Sequence, residues 1–64
     1  MLILDAQIFY INQKNDKIKL CKSFIDIEPE NITDVFVLNS LPQSFKDDIK
    51  LLETIELHPT ELIL

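Results

Sequence analysis

The sequence predicts an α+β fold: an antiparallel sheet of three to four strands, in chain order β-β-β-α-β, with one amphipathic helix packed on one face. Three observations carry this expectation. An alternating apolar stretch opens the chain at residues 2–11. A polar turn and a second alternating stretch follow it. The run 41–54 repeats large apolar side chains at helical spacing. A chain of 64 residues holds a single domain, 1–64.

Residues 2–11, LILDAQIFYI, read as the first strand. Leu2, Leu4, Ala6, Ile8 and Tyr10 fall on one face, which is wholly apolar or aromatic and so turns to the core. The other face mixes Ile3, Phe9 and Ile11 with Asp5 and Gln7, and its apolar members call for a cover of their own. Residues 12–16 form the turn, with Asn15 and Asp16 at its tip, because both residue types tolerate left-handed backbone angles. Residues 17–27 return as the second strand. Its apolar face changes parity between Leu20 and Ile25, which predicts a β-bulge near Cys21–Ser23.

Pro29 interrupts the pattern, since it has no amide to donate and forces Glu28 before it into an extended conformation. Residues 32–38, ITDVFVL, read as a third strand, or else as a loop, with the helix then pairing with its twin across a dimer axis. Ser40, Pro42 and Gln43 match a capping box, with Ser40 as N-cap of a helix over residues 41–54. Leu41, Phe45, Ile49 and Leu52 form its apolar stripe. Either of the short apolar segments 54–57 and 61–64, split by His58 and Pro59, can serve as the last strand.

Glycine is absent, and this excludes much chemistry. Walker, Rossmann and kinase-type loops use glycine to bring the backbone against phosphate, and G-x-S-x-G nucleophile elbows need it for their sharp turn. The chain has one cysteine, Cys21, and one histidine, His58. A disulfide within the chain is impossible, and a four-ligand zinc site of soft donors lacks its ligands. Cys21 with His58 could make a thiol–imidazole pair, but the simpler reading is a strand thiol and a turn imidazole. No catalytic residue, metal site or cofactor is expected, and the chain reads as a non-enzyme.

Two charged clusters remain. Asp26, Glu28, Glu30 and Asp34 surround Pro29, and they form the candidate protein-binding surface, an acidic patch for a basic partner. Lys14, Lys17, Lys19 and Lys22 hold four of the six positive charges on the hairpin and are the candidate phosphate contacts. Against nucleic acid stand the absence of arginine among the bases and a net charge of −5. Lysines on a hairpin edge also have a simpler use, in discouraging strand-to-strand aggregation.

A chain this short buries only about 60% of the surface it exposes when unfolded. Yet 47% of its residues are hydrophobic, so a second copy is expected to cover some of them as a homodimer. The apolar end Leu62, Ile63 and Leu64 is the expected oligomer interface. With no basic leader, no apolar run long enough for a membrane and a lone thiol, the expected compartment is the cytoplasm. Together these features describe a small non-catalytic interaction module. By analogy of size and charge it compares with stoichiometric inhibitors, antitoxins or immunity-like factors of phage or mobile-element type. The alternative is a dimer that binds nucleic acid through the basic hairpin.

Overall fold

The computed structural model describes residues 1–63. β1 (Leu2–Asn12) and β2 (Lys17–Ile25) form a hairpin, followed by a 3-10 turn (Pro29–Asn31), α1 (Asp34–Asn39), α2 (Gln43–Asp48) and β3 (Ile49–Glu61). The strands make one antiparallel sheet in the order β2-β1-β3, so the first strand is central and the last closes its far side. This corrects the expected order β-β-β-α-β: the third strand and the single long helix are absent, and two short helices separate the hairpin from a long final strand.

Local chemistry accounts for the change. The segment 32–38 begins with a helix cap: the Thr33 hydroxyl accepts the Phe36 amide at 3.1 Å, and Asp34 occupies the first turn. Val37 then turns inward and is fully buried, which outweighs the strand preference of its branched side chain. Ser40 does not cap the next helix. Its backbone is αR, and its hydroxyl donates to the Val37 carbonyl at 2.6 Å, closing α1 from behind. Pro42 stands at the N-cap of α2 instead, and the Gln43 side chain bonds Asp47 one turn ahead.

α2 stops at Asp48 because the next residues have a better partner. Ile49, Leu51 and Leu52 pair with Asn12, Ile11 and Tyr10 on the free edge of β1. Two register shifts, between Phe9 and Tyr10 and between Ile11 and Asn12, accommodate the extra residues of β3. The expected bulge near Cys21–Ser23 is absent, since β1 and β2 pair without a break from Ile3↔Ile25 to Ile11↔Lys17. The parity change has another cause. Ile25 lies on the outer face, 73% exposed, and Asp26 with φ 60° reverses the chain so that Ile27 is buried.

The core lies between the inner face of the sheet and the segment that crosses it. Leu4, Ala6, Ile8 and Tyr10 of β1 are buried against Ile27, Val37 and Leu41. Ile18, Leu20 and Phe24 flank them from β2, and Ile55 and Leu57 from β3. Leu4, Ile8 and Val37 are wholly withdrawn from solvent, each contributing about 1.5–3 kcal/mol of transfer free energy. Among the described residues no helix or strand packs on the outer face of the sheet. No helix among the described residues is long and apolar enough to cross a membrane.

Candidate functional site

The expected protein-binding residues lie where β2 hands over to the crossing segment. Asp26 takes a left-handed backbone angle immediately after the last residue of β2. The Ile27 amide then donates to the Leu2 carbonyl at 3.0 Å, which pins the chain to the end of β1. Glu28 is extended before Pro29, and the 3-10 turn closes with Asn31 donating to the Glu28 carbonyl. Between the β2 end and α1 this leaves an open cavity of about 420 Å³. Its apolar lining is formed by Phe24, Ile25, Ile27 and Phe36, with the two aromatic rings 5.4 Å apart and tilted at 53°. Asp26 and Glu28 stand on its rim.

Two of the four expected acids therefore line one cavity. Glu30, in the 3-10 turn, and Asp34, in the first turn of α1, are exposed outside its lining. The alternate spacing of Asp26, Glu28 and Glu30 does not place them along an extended chain, because the turn at Pro29 intervenes. No salt bridge among the described residues involves any of the four; the two present join Met1 to Glu61 and His58 to Glu56.

The lysines are divided. Lys17 and Lys19 alternate onto the outer face, Lys14 lies in the turn, and Lys22 points inward. Lys22 Nζ donates to the Ser40 carbonyl at 3.0 Å and lies 5.5 Å from the centre of the Phe24 ring. It is thus occupied in holding the crossing segment to the sheet, and the expected phosphate-contact group is split between two faces. β2 is an edge strand, where outward lysines deter a further strand.

Cys21 and His58 are not brought together. They sit on β2 and β3 with β1 between them, two strand spacings or about 9.6 Å apart before the offset along the strands is counted. His58 Nε2 lies instead 3.2 Å from Glu56 on its own strand. Across the same face Ser23, Asp5 and His58 form one lateral row, with the Ser23 hydroxyl donating to Asp5. The carboxylate stands in the middle, so the hydroxyl faces an acid rather than an imidazole base, and the row lacks the order of a nucleophilic triad. Among the described residues no three His, Cys, Asp or Glu side chains are grouped to hold a metal ion.

At the chain's end, Leu62 donates its amide to the Met1 carbonyl at 2.8 Å and so extends the sheet beside β1. Ile63 is 88% exposed, and Leu64, the third expected interface residue, lies outside the described residues. The aromatic wall of the cavity escapes a reading of the sequence, because Phe36 reaches it only from a helix. No family model matches this chain, and no curated protein or solved structure matches it either.

Proposed function

We propose that the chain is a non-catalytic protein-interaction module, a stoichiometric inhibitor or regulator that seats a basic, apolar-tipped segment of its partner in the cavity beside Asp26 and Glu28. The supporting observation is the pairing of an aromatic wall with an acidic rim that has no salt bridge within the described residues. A partner side chain such as leucine or phenylalanine fills the wall, and a neighbouring lysine or arginine meets the carboxylates. The module acts in the cytoplasm, where the exposed thiol of Cys21 stays reduced.

The test is capture from the native host with three baits: the unaltered chain, the reversal Asp26→Lys with Glu28→Lys, and the reversal Lys17→Glu with Lys19→Glu. Loss of the captured protein only with the acid reversal supports the reading. Equal capture by all three baits, or loss only with the lysine reversal, sinks it. The competing reading, nucleic acid held by Lys14, Lys17 and Lys19, predicts retention on DNA or RNA that falls steeply with salt.

A further inference from the structure

We propose that the free edge of β2 takes an extended segment of the partner as a fourth strand, laid antiparallel. The acidic end of that segment meets Lys17 and Lys19, and its basic and apolar end enters the cavity beside Asp26 and Glu28. This rests on the partner-binding reading of the cavity and names the chemistry of the segment bound there.

The strand register defines the edge. The Asn12 amide donates to the Asp16 carbonyl at 3.0 Å, one step beyond the pair Ile11↔Lys17. Hydrogen-bonded pairs alternate along an antiparallel ladder, so Ile18, Leu20, Lys22 and Phe24 turn their amides and carbonyls to β1. The Leu62 amide on the Met1 carbonyl fixes the same alternation from the other side of β1. Lys17, Lys19, Cys21, Ser23 and Ile25 therefore turn their backbone groups outward, and no other backbone hydrogen bond among the described residues reaches them. Their side chains are exposed as well.

This edge lacks most of the usual obstacles to an added strand. It runs for 9 residues without a proline or a bulge. The outer edge of β3 is broken by contrast, since Pro59 has no amide and two register shifts disturb its first half. Lysines alone guard β2, and that guard depends on the incoming charge. Like charges directly opposite one another repel, whereas acids opposite Lys17 and Lys19 attract.

The edge also has a charge direction. Lys17 and Lys19 stand at its turn end, and Asp26 and Glu28 follow its other end. Its last residues, Ser23, Phe24 and Ile25, line the cavity. An added strand brings one residue opposite Phe24, on the same face and beside the Phe24–Phe36 ring pair. Leucine or phenylalanine suits that position, a basic residue the position just before it near Asp26, and acids the positions opposite Lys19 and Lys17. Main-chain bonds then supply affinity, and the alternate side chains supply specificity.

The probe is a synthetic peptide, Lys-Val-Phe-Thr-Gln-Thr-Val-Glu-Val-Glu, titrated into the full chain with fluorescence anisotropy and amide hydrogen exchange as readouts. Binding is expected to slow exchange at Lys19, Cys21 and Ser23 by about tenfold or more. N-methylation of both threonines, whose amides face β2 in this register, should weaken binding by about tenfold, and N-methylation of the glutamine and the valine after the second threonine by less than about threefold. A peptide with lysine in place of both glutamates should bind about tenfold more weakly, and Lys17→Glu with Lys19→Glu should reverse that preference. No binding at millimolar peptide, equal effects of the two methylation patterns, or indifference to the peptide's charge would overturn the proposal. So would protection of the same amides in the free chain that grows with its own concentration, since a second copy would then hold the edge. Failure of the cavity reading shows separately, as partner capture indifferent to reversal of Asp26 and Glu28. Capture that needs those acids while the β2 amides stay unprotected removes only the added strand.

Discussion

Lys22 reaches across the inner face of the sheet to the Ser40 carbonyl, 3.0 Å away, at the point where α1 ends. The carbonyls at a helix end are short of donors, and an ammonium satisfies one there with the help of the helix dipole. The same ammonium lies 5.5 Å from the centre of the Phe24 ring, within cation–π range. Lys22→Ala is expected to destabilise the fold by about 1–2 kcal/mol in urea unfolding, whereas Lys17→Ala, exposed on the other face, changes it by less than about 0.5 kcal/mol.

Asn12 is the buried polar residue that shapes the hairpin. Its side-chain oxygen accepts the amides of Lys14 at 3.0 Å and Asp16 at 2.8 Å, and so builds the turn without glycine. Asn12→Ala leaves both amides without that acceptor and should cost about 1–3 kcal/mol. Asn12→Asp keeps the acceptor and should cost less. Thermal unfolding of the two variants side by side checks the order.

Leu4 and Ile25 test the division of the sheet into a packed and a bare face. Leu4 has no exposed surface, and Leu4→Ala should cost about 2–5 kcal/mol, a large part of the stability of a domain this small. Ile25→Ala should leave the unfolding midpoint of the dilute chain nearly unchanged. Comparable losses from both substitutions would mean that the outer face is packed as well.

Asp26 offers a clean probe of the acidic rim. Its φ of 60° disfavours side chains with a Cβ, and glycine relieves that cost. Asp26→Gly should therefore keep or slightly raise stability while weakening partner capture. Asp26→Val should destabilise the chain by about 1–2 kcal/mol, because a branched side chain resists this conformation. Denaturant melts and capture by the same variants separate the two effects.

The legible part of the fold was the part with a strong local pattern. β1 alternates over its whole length, and its inner residues Leu4, Ala6, Ile8 and Tyr10 belong to the core. The turn residue Asn15 does take a left-handed angle, φ 64°. The crossing segment carries no such pattern, because each of its helices has six residues, fewer than two turns, too short to display a period. Ile49 and Leu52 suit a helical stripe as well as a strand, and only the free edge of β1, distant in sequence, decides between them. For the candidate site, the carboxylates could be read from their clustering. The wall they flank could not, since it is the short helix α1 that brings Phe36 beside Phe24.

The central place of β1 has a kinetic consequence. This strand leaves the ribosome before its partners, yet one of its edges stays bare until β3 has been made, and Leu2 finds its place opposite Glu61 only then. The β1–β2 hairpin closes locally and quickly, whereas the β1–β3 ladder must close a long loop first. In that interval the chain exposes Leu4 and Ile8 next to an unpaired strand edge, the kind of surface that recruits chaperones or neighbouring nascent chains. Truncations that remove β3 should therefore accumulate as aggregates rather than as a smaller folded hairpin.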